Sequence, residues 1–128
     1  MTNMDIIKEK LISMEFKGEE GKNKIENIIN NLRIYDLKTI FDEEILIKED
    51  YKTGLKISMD KKEEYMNKLP KSNVLKFYLN NDTNFVVRPS GTEPKIKIYL
   101  ASVDKTVEGA EMKINNLEKN IKNMINEF

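Results

Sequence analysis

Cysteine and histidine are both absent from this chain. Without thiols it has no disulfides, no thiolate nucleophile and no thiolate metal site. Without imidazole it has no histidine triad, no imidazole metal ligand and no histidine pH switch. No apolar run approaches the roughly 20 residues of a membrane span. Met1 to Lys10 alternates charged with apolar residues and lacks the continuous apolar stretch of a signal peptide. A cytoplasmic protein with no membrane partner is the expectation. Neither sign of charge is in excess, with Lys+Arg at 22 and Asp+Glu at 22. No global field draws nucleic acid or an anionic surface, so any anion site has to be local.

What is present suffices to fold. At 128 residues, with 39% hydrophobic and 34% charged residues, the chain lies outside the low-hydrophobicity, high-net-charge range of disordered sequences. Its length suits one domain over residues 1–128, with an opening strand and helix at about 11–34 and a sheet and terminal helix at about 41–128. Leu11 to Phe16 reads as a short strand, with the end of a helix as the alternative. Ile25, Ile28, Ile29 and Leu32 recur at helical spacing, which predicts an amphipathic helix from about Lys22 to Ile34. Glu44 to Glu49 predicts a strand, followed by turn chemistry from Asp50 to Gly54. The charge cluster Lys61 to Glu64, ended by Pro70, reads as a surface excursion.

Three further strands are expected, Val74 to Leu79, Phe85 to Arg88 and Lys95 to Leu100, with Asn80 to Asp82 as a hairpin turn. After Asp104, a candidate N-cap, Val107, Ala110, Ile114, Leu117, Ile121, Met124 and Phe128 mark a long helix. Its stripe fits packing on a sheet better than a coiled coil, which stays open as an alternative. The order of elements is that of an α+β domain.

Chemistry concentrates between two of the strands, in Arg88-Pro89-Ser90-Gly91-Thr92-Glu93-Pro94-Lys95. Ser90 and Thr92 carry hydroxyl donors. Gly91 lets the backbone approach a ligand and adopt positive φ, and successive amides in such a turn can form an anion nest. Arg88 presents a planar fork to two phosphate oxygens, and Pro89 and Pro94 limit flexing. The chain has only two arginines, Arg33 and Arg88, so one beside Ser-Gly-Thr points to a task there. Spacing alone equally allows a plain hairpin connection, with Ser and Thr satisfying turn groups and Arg88 paired with an acid.

The string RPSGTEPK, Arg88 to Lys95, resembles the phosphate-binding signature of the α-D-phosphohexomutases, the phosphoglucomutase/phosphomannomutase family, near their C-terminus. Ile96 to Leu100, Leu69 to Phe77, the Asp50-Tyr51 turn with Gly54, and Gly18, Gly21, Ile25 and Leu32-Arg33 resemble family segments in the same order. The resemblance implies an antiparallel four-stranded sheet with helices packed on one side, of the TATA-binding-protein-like class. It implies a magnesium-dependent parent enzyme, an intramolecular phosphotransferase of the isomerase class, working through a phosphoserine and a bisphosphosugar. The last domain holds the phosphate that is not reacting. Arg88, Ser90, Gly91 and Thr92 are the implied contacts, with Pro89, Glu93, Pro94 and Lys95 shaping the loop.

The family's Ser-His-Asn-Pro loop is missing, because there is no histidine, and so is its Asp-Gly-Asp metal loop. No catalytic residue, no metal ligand and no cofactor of its own is therefore expected here, magnesium belonging to the missing part of the parent, and the chain alone should be inactive. Gly18-Glu19-Glu20-Gly21 looks superficially like the family's sugar loop but fits a first-turn acid cluster better. Expected partners are a phosphosugar and the parent's preceding domains. Two other classes stay in view. One is a nucleic-acid module using Lys76, Lys95, Lys97, Tyr78 and Tyr99, which the neutral charge balance and sparse arginine disfavour. The other is self-association through the terminal helix.

Overall fold

The computed structural model describes residues 5–34, 39–40, 43–58, 62–66 and 71–128. The chain opens with strand β1 (Ile6–Glu15) and helix α1 (Gly18–Ile34). Two short pairs follow: β2 (Thr39–Ile40) with β3 (Glu43–Glu44), and β4 (Ile47–Asp50) with β5 (Leu55–Ser58). Then come β6 (Glu63–Tyr65), β7 (Leu75–Tyr78), β8 (Asn84–Pro89), β9 (Lys95–Asp104) and helix α2 (Val107–Asn126). Seven of the strands build one sheet in the order β1-β9-β8-β7-β4-β5-β6, every pairing antiparallel.

Strand alternation sorts the sheet into a dry face and an open one. Leu75, Phe77, Phe85, Val87, Ile96, Ile98 and Leu100 point to the dry side and are buried. Phe77 and Phe85 are register partners whose rings stack at 4.7 Å between centroids. Over this face lie Ile25, Ile28, Ile29 and Leu32 of α1 and Ile114, Leu117, Ile121 and Ile125 of α2, in one continuous core. Both helices therefore sit on the same side of the sheet. The apolar stripe of α2 is spent on the sheet, which removes the seam a coiled coil would need.

The expected α+β architecture holds, but the sheet has seven strands where four were expected. The three additions are β1 at one edge, itself expected as a strand, and β5 and β6 beyond β4 at the other, and the last two escape a pattern reading for a physical reason. β6 is Glu-Glu-Tyr with all three residues exposed, a charged edge strand with no buried face to betray it. The excursion expected over Lys61 to Glu64 is thus partly strand, while Lys61 and Pro70 lie outside the described residues. β1 runs over Ile6–Glu15 and pairs with β9 along its whole length. Its Lys8 and Lys10 reach over to Glu111 and Glu118 of α2, so charge pairs take the place of apolar spacing near its start.

Helix α1 begins a turn earlier than its apolar spacing indicates, with Glu19 and Glu20 in its first turn, where the helix dipole favours acids. That placement agrees with the reading of Gly18 to Gly21 as a first-turn acid cluster. At its other end the Lys48 ammonium donates to the carbonyls of Leu32 and Arg33. Helix α2 is capped by Thr106, not Asp104: the Thr106 hydroxyl accepts from the Gly109 amide at 3.0 Å. Asp104 ends β9 and holds that cap, accepting from the Thr106 amide and hydroxyl and from Lys113. These contacts, led by Lys113, hold its carboxyl below its usual pKa.

Candidate functional site

Residues 90–94 connect β8 to β9 at one end of the sheet. Phe85 and Val87 face the core, so alternation puts Arg88 on the open face, exposed, at the mouth of the loop. The loop closes on itself. The Ser90 amide donates to the Lys95 carbonyl at 2.9 Å, the Lys95 amide to the Glu93 carbonyl at 2.8 Å, and the Glu93 amide approaches the Ser90 hydroxyl at 3.4 Å. It is also pinned from outside, because the Phe16 amide, just before α1, donates to the Pro94 carbonyl at 2.8 Å. Phe16 itself packs against the core, so the loop is tied to the body of the fold at its C-terminal end.

What the loop leaves unsatisfied is as specific as what it satisfies. Among the described residues, the Arg88 guanidinium has no ion pair or hydrogen bond, and the Gly91 and Thr92 amides have no acceptor. The plain-hairpin alternative needs Arg88 paired with an acid, and it is not. The acid of the loop, Glu93, is turned to Lys95 at 3.0 Å. That hydrogen bond and the negative charge behind it hold the Lys95 ammonium above its ordinary pKa. Local negative charge is thereby tied up beside Lys95. Ser90 does serve the turn, as that alternative has it, but as an acceptor, and its hydroxyl proton remains available to donate.

One expectation about the loop is corrected. Gly91 does not take positive φ; the glycines that do are Gly18 and Gly54. The bonds between Ser90, Glu93 and Lys95 turn this connection without a left-handed residue at Gly91. What glycine supplies here is room, since a Cβ at Gly91 would meet nothing within 4 Å. A ligand can come up to bare backbone.

The second arginine shows the contrasting case. Arg33 Nε lies 2.9 Å from Asp50 Oδ2, and its Nη2 donates to Asn73 Oδ1 at 2.6 Å. Asp50 is buried and also accepts from the Lys52 amide at 2.9 Å, while its carbonyl accepts from the Gly54 amide at 2.8 Å. The Asp50-Tyr51 turn thus locks the end of α1 to the sheet. Beside it on the open face, Glu49 is buried and accepts from the phenols of Tyr51, at 2.7 Å, and Tyr78, at 3.2 Å. Burial, and then the bond to Glu49, push the Tyr51 phenol above its ordinary pKa. Of two arginines, one is consumed by the fold and one is left facing solvent beside free amides.

Among the described residues, no group of three or more acids is placed to hold a metal ion. Magnesium needs several oxygen ligands in near-octahedral array, so these residues do not fit it. Among the described residues, no helix is long and apolar enough to cross a membrane.

The sequence of this region matches a known domain family. A family model described as the phosphoglucomutase/phosphomannomutase C-terminal domain matches residues 31–116. The chain belongs to this family. A phosphoglucomutase of Staphylococcus epidermidis is 37% identical over 114 residues, covering 89% of this chain and 21% of that protein. The phosphoglucomutase of Staphylococcus saprophyticus is 32% identical over 120 residues, covering 90% and 22%. That of Staphylococcus aureus is 37% identical over 106 residues, covering 82% and 19%. The chain thus spans about a fifth of the length of these relatives. Membership of the C-terminal domain family accords with the α+β sheet seen here.

Proposed function

We propose that this domain grips the non-reacting phosphate of a phosphosugar while a phosphoglucomutase/phosphomannomutase transfers the other phosphoryl group between two sugar hydroxyls. One observation carries the reading: the unpaired Arg88 guanidinium beside the unpaired amides of Gly91 and Thr92. Arg88 supplies two parallel donors to phosphate oxygens, the amides of Gly91 and Thr92 supply two more, and the hydroxyls of Ser90 and Thr92 complete the shell. Pro89 and Pro94 hold the loop ends, and Glu93 is kept at Lys95, so that no carboxylate opposes the incoming anion.

Phosphoryl transfer is catalysed mainly by positioning and charge stabilisation, and a remote grip contributes orientation. A phosphate presents the same oxygens whichever end of the sugar carries it, so one clamp accepts the substrate in either direction. Chemistry at the other end, with the magnesium that the family implies, belongs to the rest of the parent enzyme, and the chain alone has no mutase activity. Its natural partners are the phosphosugar and the parent's preceding domains. The nucleic-acid reading finds less support: Lys76 lies over the Tyr78 ring, 4.8 Å from its centroid, and across from Glu49.

Titrating the ¹⁵N-labelled chain with inorganic phosphate and with glucose 1-phosphate tests the proposal. The Gly91 and Thr92 amides shift, and Arg88→Ala abolishes the shift. A few charge-assisted contacts, at about 1.5–3 kcal/mol each, work against an association cost of roughly 4–15 kcal/mol, so millimolar affinity or weaker is expected. Shifts confined to residues far from the loop refute the assignment.

A further inference from the structure

β1 ends the seven-stranded sheet, and its outer side is an open row of backbone donors and acceptors. It pairs with β9 on one side only, in unbroken register from Ile6 to Glu15. The Phe16 amide, which donates to Pro94, points toward β9, so the alternation of an antiparallel ladder directs the even-numbered amides there as well. The amides and carbonyls of Ile7, Glu9, Leu11, Ser13 and Glu15 therefore point outward, and among the described residues they have no partner.

Sheets ordinarily guard such an edge with proline, a bulge, a short strand or charged side chains. β1 has no proline, no glycine and no bulge, and it is as long as any strand described. Its lysines are not free to guard it, because Lys8 and Lys10 are drawn over onto Glu111 and Glu118 of α2. On the open face Ile7 and Leu11 stay exposed, at 61% and 52%, and Tyr99, 38% exposed, lies across from Leu11. The opposite edge of the sheet shows the contrast: β6 is short, wholly exposed, and carries Glu63 and Glu64.

We infer that β1 is a pairing edge for a second copy of this chain, joined antiparallel about a two-fold axis at Leu11. Charge selects that register. Axes at Glu9, Lys10 or Ile12 set like charges directly opposite, as Glu9 on Glu9, Lys10 on Lys10 or Glu9 on Glu15, which is destabilising. With the axis at Leu11, Glu9 meets Ser13 of the second copy, Lys10 meets Ile12, and every outward amide from Ile7 to Glu15 gains a carbonyl. Leu11 and Tyr99 join their twins in one apolar cluster on the open face. The chain carries no net charge, so the copies do not repel at long range. The contact is isologous and closes at two, since β6 is guarded. It is also narrow, which places its dissociation constant at roughly 10–100 µM.

Sedimentation of the whole chain from about 5 to 500 µM tests this, together with amide hydrogen exchange at both ends of that range. Wild type is expected to pass from monomer to dimer, and exchange at Glu9, Leu11 and Ser13 to slow about fivefold, while the even-numbered amides already bonded to β9 stay as they were. Leu11→Lys, which sets two ammonium groups at the axis, leaves a monomer throughout. Ser13→Pro removes one outward donor without touching the ladder to β9, and weakens the dimer about tenfold or more. Met112→Lys, on the exposed side of α2, leaves the dimer unchanged. A wild type that is monomeric at every concentration overturns the inference. So does a dimer that survives Leu11→Lys, one lost in Met112→Lys, or one that forms without added protection at Glu9, Leu11 and Ser13, which would mean helix or face contacts instead. If Ser13→Pro does not fold, Leu11→Lys and the exchange pattern decide alone.

Discussion

Gly21 is the position where a single methyl group should do most harm to the loop without touching it. It is buried in the first turns of α1, and a Cβ there would lie 1.9 Å from the Phe16 carbonyl oxygen and 2.4 Å from its carbon. Both are backbone atoms, which cannot rotate away like the end of a side chain. Restoring ordinary contact moves that backbone by about 1.5 Å in an interior that has little slack. Alanine is otherwise the better helix former, by up to about 1 kcal/mol, so propensity and packing oppose each other. Packing wins, because overpacking of this kind costs about 2–3 kcal/mol and Phe16 is tied on its other side to Pro94. For a domain of this size the net loss lowers the melting temperature of Gly21→Ala by roughly 5–10 °C, read by circular dichroism. The amides of Phe16 and Ser90 should shift together in ¹⁵N spectra, since the displaced carbonyl belongs to the residue that pins the loop. Gly91→Ala is the control: its Cβ meets nothing within 4 Å, and its stability should stay within about 0.5 kcal/mol of wild type. A Gly21→Ala protein as stable as wild type refutes the close-approach account of this glycine.

Asp50→Ala leaves the partly buried Arg33 without its carboxylate and frees the Lys52 amide, so it should cost about 3 kcal/mol in urea unfolding. Glu118 is held below its usual pKa by Lys10 and then Lys122; its contribution is therefore present above the ordinary carboxylate range and lost as pH falls through the lower folded value. Melting temperatures from pH 7 down to pH 3 should show that loss in wild type and a shallower decline in Glu118→Gln, with no more than about 1 kcal/mol between them at neutral pH. In an ultraviolet titration Tyr51 should remain un-ionised near pH 10, where an ordinary tyrosine is about half ionised. Tyr51→Phe, with Tyr78 still donating to Glu49, should lose only about 1 kcal/mol.

The parts of this fold that the sequence announces are those where periodicity follows burial. Ile25 to Leu32, the strands from Leu75 onward, and the Ile114 to Ile125 stripe each alternate or recur because one side is dry, and each forms the expected element. Where charge replaces burial the pattern fails: β6 is wholly exposed, and the first half of β1 meets α2 through Lys8 and Lys10. The cap at Thr106 was hidden for another reason, since Asp104 and Thr106 are both good caps and only the geometry decides between them. At the loop, residue types alone allow an anion site and a plain hairpin connection equally, and they do not say whether Arg88 is spent on an acid.

On the proposed reading, a grip of this design has to be ready yet weak. Pro89, Pro94, the Ser90 to Lys95 closure and the bond from Phe16 fix the loop before any anion arrives, so binding pays little for ordering it. Arg88 nevertheless stays exposed in the isolated chain, where its contacts with phosphate replace contacts with water at small net gain. On the proposed reading, the missing strength comes from the parent enzyme. Tethering the loop opposite the rest of the cleft raises its effective concentration, and excluding water when the cleft closes strengthens each charge contact. A clamp that held phosphate tightly by itself would bind substrate and transition state alike and would slow release of product; that gains nothing in turnover. Weak binding by the free domain, with clear loss of turnover when Arg88→Ala is placed in a full-length relative, is the combination this division of labour requires.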